Sequence, residues 1–122
     1  KGVNAAPVDL YAFGNATRPQ APRLVKDMEL DTEGMVTPEE VVWPKGKSTN
    51  VDPKLAGLTG HYHLLPEGSP MPLGLKVIRD GSEVEGPQGP GHATIYPTQK
   101  MTPEEYRELV LGLPWRHAGK IR

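Results

Sequence analysis

No cysteine occurs in the chain, which removes disulfides, thiolate nucleophiles and cysteine-held zinc or iron–sulfur clusters together. Apolar side chains are scarce too: hydrophobic residues make up 36% and aromatic ones 6% of 122 residues, below the share of most globular domains. No apolar run approaches the roughly 18 residues that span a bilayer, and no signal-peptide apolar core is present. A soluble domain is expected, with no membrane partner. Lys1 in place of an initiating Met fits a piece of a longer polypeptide. Gly and Pro, by contrast, are abundant at 14 each, so irregular backbone must be plentiful. The length allows one domain over 1–122 with a single modest core, and 1–8 and 116–122 read as extended termini.

A net charge of −1 hides an asymmetry: residues 1–26 carry +3, the last seven carry +3, and the body between them carries −7. Basic ends around an acidic body suit a polyanion, although solvated termini are the plainer explanation.

Secondary-structure signals are short. Asp9 to Phe13 alternates as a first strand and stops at Gly14-Asn15; Arg18 to Arg23 must be an extended loop, because each proline also restricts the residue before it. Thr37-Pro38-Glu39-Glu40 and Asp52-Pro53-Lys54-Leu55-Ala56-Gly57 each have a cap, a proline at the first helical position and room for one turn. Strands are expected at 61–65, at 73–79 turning at Asp80-Gly81, and at 92–96 ended by Pro97. Thr102-Pro103-Glu104-Glu105 opens the main helix, about 102–112, with Tyr106, Leu109, Val110 and Leu113 at helical spacing. The expected fold is a loop-rich α+β domain.

Four constellations can carry chemistry. His61 and His63 share a face of a strand, and His92 would complete a three-histidine zinc site only if the fold brought it there; metal is not the favoured reading. On the strand from His92 to Tyr96, one face holds His92, Thr94 and Tyr96 while Ala93 and Ile95 point to the core, so the polar face can wall a cleft or meet solvent. Gly46-Lys47-Ser48-Thr49 resembles the tail of a phosphate-binding loop, yet the motif fails because position 41 is Val; Ser48 and Thr49 remain candidates for bonding a ligand's ribose or bracing a neighbouring strand. Glu104 and Glu105 are first-turn helix acids rather than catalytic carboxylates.

Taken in order, Asp9 to Phe13, Gly46 to Thr49, Leu65 to Val77 and His92 to Pro97 resemble the ADP-ribosyltransferase-like toxins of type VI secretion effectors, including the C-terminal toxin domains of Rhs proteins. The likeness covers most of 9–115. It implies a small, loop-rich fold with a split, curved antiparallel sheet that holds NAD in a cleft, where the bond to nicotinamide breaks through a cationic ribose and the protein supplies positioning and electrostatics. Carried over by position, it makes Tyr11 or Tyr62 the ring that stacks on nicotinamide, Ser48 and Thr49 the bracing hydroxyls, and His92, Thr94 and Tyr96 the catalytic strand. The strand has Ala12 where many relatives place Arg, so Arg18 or Arg23 is expected to bind the diphosphate. The relatives' catalytic Glu is absent too, leaving His92, Thr94 and nearby Gln99 in its place.

The function expected from this resemblance is an antibacterial toxin transferring ADP-ribose from NAD to a macromolecule, with the basic termini favouring structured RNA over protein. Type VI delivery, action in the target cytoplasm and a cognate immunity protein come with it. Simple NAD hydrolysis, a metal-independent ribonuclease built on the histidines, and a non-enzymatic binding module are the alternatives.

Overall fold

A computed structural model describes residues 4–24, 26–38 and 41–122. Among the described residues, six strands form one antiparallel sheet: β1 (Leu10–Gly14), β2 (Lys47–Asn50), β3 (Gly60–Leu65), β4 (Leu75–Arg79), β5 (His92–Pro97) and β6 (Arg116–Ile121). Their spatial order is β4-β5-β2-β1-β3-β6. One helix, α1 (Pro103–Leu111), packs against the sheet, which makes the domain α+β as the sequence predicts.

The helix begins where the capping residues place it. Thr102 Oγ1 accepts the Glu105 N–H at 3.0 Å, the Glu105 carboxylate accepts the Thr102 N–H at 2.8 Å, and Pro103 occupies the first helical position. Tyr106, Val110 and Leu113 then face a core made with Leu10 and Leu65 of the central strands, Leu75, Ala93 and Ile95 of β4 and β5, and Met28, Val36 and Met101 from loops. Ala93 and Ile95 point inward from β5, as alternation predicts.

Of the two short helical turns expected, the one at Pro53–Ala56 forms as a single 3-10 turn, capped by Asp52 and ended by Gly57 at φ +72°. The other falls partly on Glu39 and Glu40, outside the described residues, and Val41 to Trp43 form bends. Two strands have no periodic signal in the sequence. Residues 47–50 pair with β5, and most of the stretch read as an extended terminus is β6, paired along β3 from Gly60↔Ile121 to Leu64↔Arg116. β6 carries no apolar alternation because it is an exposed edge strand with little to bury.

The tie between helix and sheet is the Tyr106 hydroxyl. It donates to the Ile95 carbonyl at 2.7 Å and accepts the Lys47 N–H at 3.0 Å, bridging β5 and β2 at the start of β2. The ring is wholly buried, and burial pushes its ionisation well above the ordinary tyrosine value. Tyr106→Phe strands a buried donor and a buried acceptor at once, so it is expected to cost about 2 kcal/mol, read as a lower urea midpoint with an unchanged m-value.

Candidate active site

Near its centre the sheet opens. β1 and β2 share one register pair, Tyr11 with Asn50, whereas β1 follows β3 over five pairs and β2 follows β5 over four. Continued past Tyr11, the antiparallel register would set Ala12 against Thr49 and Phe13 against Ser48. Instead these residues line the two sides of a cleft of about 410 Å³, within the range of small-molecule sites. β1 cannot close the gap because its own return loop takes its far end: Gly14 pairs with Pro19, and the Gln20 N–H donates to the Phe13 carbonyl at 2.9 Å.

Lys47 is the least ordinary residue in this cleft. It occupies an inward position of β2, registered with Ile95, and only 6% of it is exposed. Gly46 permits this, since a Cβ there would run into the Ile95 carbonyl. Among the described residues no side chain or carbonyl accepts a hydrogen bond from the Lys47 ammonium. Burial drives its pKa from the ordinary 10.5 down to about 8, with the Asp27 carboxylate resisting the fall and the Arg23 guanidinium adding to it. Asp27 cannot neutralise Lys47 fully, because Arg23 holds the same carboxylate through its backbone N–H at 2.8 Å and its Nε at 3.1 Å. Lys47 and Arg23 therefore share one carboxylate at the cleft.

On the β5 side, His92 reaches the cleft with 18% of its side chain exposed. Its Nδ1 lies 2.6 Å from Oδ1 of Asp80, and the Thr94 hydroxyl donates to the other oxygen of that carboxylate at 2.6 Å. Burial alone would push the Asp80 carboxyl up, but the hydrogen bonds from His92 and Thr94 outweigh it and hold the carboxyl below the usual range. An ionised Asp80 fixes the Nδ1–H tautomer of a neutral His92, which leaves Nε2 as the free acceptor. The loop between β4 and β5 closes over this pair. Glu83 accepts the Gly91 N–H at 2.7 Å, the Asn50 amide donates to the Pro90 carbonyl at 3.1 Å, and Gly91 sits at φ +80°, where a Cβ would meet Asn50.

Of the residues expected from the sequence, Tyr11, Arg23, Ser48, Thr49 and His92 line the cleft together. Thr49 also braces the sheet, its hydroxyl donating to the Ala93 carbonyl at 2.9 Å. Tyr62 stands beside the cleft wall, its ring 5.8 Å from that of Tyr11 and 5.6 Å from that of Phe13. Arg18 lies on a neighbouring groove, Thr94 is buried against Asp80, and Tyr96 pairs with Lys76 of β4 outside the cleft lining. β1 and β2 separate His92 from His61 and His63, so the three imidazoles do not converge; His61 instead meets His117 of β6 at 2.9 Å.

Lys47, Asp80, Asn50 and Asp27 went unmarked in the sequence. Lys47 is hidden by the failed phosphate-loop match, and Asp80 by its turn partner Gly81. Arg79 pairs with Ala93 in the hairpin, which sets Asp80 opposite His92; that register was the available signal.

A sheet that parts at one strand pair to admit a ligand has the architecture of the ADP-ribosyltransferases. Consistent with it, the family model for the Tse2 ADP-ribosyltransferase toxin matches residues 3–113, and the chain belongs to that family. Membership makes it an ADP-ribosylating toxin domain, of a class of toxins that use NAD as substrate. Neither a curated protein nor a solved structure matches the chain. Among the described residues, no helix is long and apolar enough to cross a membrane.

The Lys47 amine separates binding from stability. Because it holds its proton less tightly in the folded chain than in the unfolded one, the fold gains stability as pH rises between about 8 and 10.5. Lys47→Met is therefore expected to leave the melting temperature unchanged or raised, while the KM for NAD rises about tenfold. The wild-type KM should climb as pH rises from 7 to 9 through the value of about 8, and that of Lys47→Met should not.

Proposed function

We propose that the domain cleaves the nicotinamide–ribose bond of NAD in this cleft and transfers ADP-ribose to a macromolecule inside a target bacterium, with structured RNA favoured over protein. The observation that carries the reading is the nearly buried Lys47, which lines the same cleft as His92 and shares the Asp27 carboxylate with Arg23. A diphosphate supplies negative charge to Lys47, and Ser48, on the opposite face of β2 and in the same cleft lining, offers a hydroxyl to the ribose. Arg23 contributes field rather than a free fork, since Asp27 already occupies it. Tyr11, backed edge-on by Tyr62, offers the flat apolar wall that a nicotinamide ring needs.

With the dinucleotide so placed, an acceptor hydroxyl or amine attacks C1′ of the ribose as the bond to the pyridinium nitrogen breaks, and nicotinamide leaves neutral with the electron pair. The acceptor's proton passes to Nε2 of His92. Asp80 then stabilises the imidazolium, as a buried carboxylate does behind any histidine base, and Thr94 keeps that carboxylate in position. Tyr96 acts from the next outward position of β5 by packing the strand against β4. No carboxylate is required at the reacting carbon, which accounts for a catalytic strand without Glu.

Type VI delivery on an Rhs carrier, action in the target cytoplasm and a cognate immunity protein that covers the cleft belong to the same proposal. Two measurements check it. Asp80→Asn removes the charge and keeps the shape, so kcat should fall about 100-fold or more with little change in KM; His92→Ala should match it. A normal kcat in both variants excludes His92 as the base. Incubated with labelled NAD and cell extract, the domain should place label in RNA. Label in protein would change the acceptor, label in free ADP-ribose alone would indicate a hydrolase, and cleaved RNA without NAD would indicate a ribonuclease.

A further inference from the structure

Beside the cleft lies a larger groove, about 760 Å³ in volume. The two share Phe13, Gln20, Arg23 and Leu58, so whatever lies in the groove ends next to the ligand in the cleft. Arg18, Arg23 and Arg107 stand in the groove lining, and no acidic residue does. Arg23 is held by Asp27, but among the described residues Arg18 and Arg107 carry no ion pair or side-chain hydrogen bond. Half-exposed Leu24 and Leu58 and the Phe13 ring add apolar surface between the cations.

The positive lining continues beyond the groove. Thr59 in its wall leads into Gly60, whose partner in the sheet is Ile121, so Lys120 and Arg122 flank that end of the groove. β6 then runs Arg116-His117-Ala118-Gly119-Lys120-Ile121, an edge strand about 20 Å long with no acid in it. None of the six strands contains Asp or Glu, although the chain has 15 of them. Of the body's acids, Asp27 holds Arg23, and Glu104, Glu105 and Glu108 share α1 with Arg107; the strands carry none.

The geometry points to the groove and the adjoining β6 edge as the docking surface for an unpaired segment of RNA, which is thereby presented to the cleft as the acceptor. This rests on the transferase reading for its purpose but not for its binding chemistry. Unpaired cations in a line satisfy a regular phosphodiester backbone, and an aromatic ring among them offers a base its stacking face; that pairing of features is how single strands are held without sequence readout. An acidic peptide would use the cations but leave the aromatic and leucine surface without a matching partner.

The test measures binding and NAD chemistry separately. A short fluorescein-labelled single-stranded RNA is titrated with the whole domain by fluorescence anisotropy at two salt concentrations, beside the DNA oligomer of the same sequence and a polyglutamate peptide. Arg107→Glu should weaken RNA binding and lower the salt slope by about 0.7 for one lost phosphate contact, and Arg116→Glu/Lys120→Glu, independently, should weaken it at least tenfold and lower the slope by about 1.4 for two. NAD hydrolysis without acceptor, and the circular dichroism spectrum, should match wild type in both variants, because none of these side chains lines the cleft. Unchanged RNA affinity in both variants, or a polyglutamate affinity equal to that for RNA, overturns the assignment, whereas DNA affinity equal to that for RNA is expected of phosphate and stacking contacts alone. If RNA binding responds as stated but no variant, nor the wild type, turns over NAD, the transferase reading fails and the docking surface stands.

Discussion

A single pairing, Tyr11 with Asn50, decides what this sheet can do. Were β1 and β2 paired along their length, the six strands would close into an unbroken surface and the cleft would vanish. The strands part because each is committed elsewhere. β1 is held along its whole length by β3 and at its far end by the return loop through Pro19, and β2 is held by β5 and by the Tyr106 hydroxyl. The opening is thus a product of competition for backbone partners, with the hydrogen bonds that a closed sheet would use satisfied by a loop and a side chain.

Of the buried charges at or near the opening, Asp80 and Lys47 differ in how they are satisfied. Asp80 is complete within the protein, with His92 and Thr94 on its two oxygens; it needs no ligand and acts through the imidazole it orients. Lys47 is incomplete, with Asp27 shared away to Arg23. A fall in pKa from 10.5 to about 8 corresponds to roughly 3 kcal/mol of unfavourable burial while the amine is charged. A fold selected for stability alone would carry an apolar residue at that inward position. The proposed diphosphate would relieve that local cost by supplying negative charge.

Much of the fold was legible because several elements are governed by local rules. The capping box at Thr102 and Glu105, the proline-led turn at Asp52-Pro53 and the alternation around Ala93 and Ile95 act over a few residues, and each appears where the sequence places it. β2 and β6 were not legible. An inward Lys47 disguises the alternation of one, and an exposed edge leaves the other no apolar pattern. In the cleft, Ser48, Thr49 and His92 were identifiable by residue type and Tyr11 and Arg23 from the resemblance to the toxin family, whereas Asp80 and Lys47 were not. Their chemistry comes from burial and from partners 12 and more positions away, properties that the folded chain creates.

The two outer strands have a bearing on how copies of this domain treat one another. β4 and β6 both leave a row of backbone donors and acceptors open to solvent, the usual invitation to pair with a neighbouring chain. Both also carry cations and no acids, Lys76 and Arg79 on one and Arg116 and Lys120 on the other. Any edge-to-edge meeting of two copies, in whichever combination, brings positive charge against positive charge. A chain with so small a core spends more of its time partly open than a larger one would, and this shared sign keeps those openings from becoming the start of an aggregate.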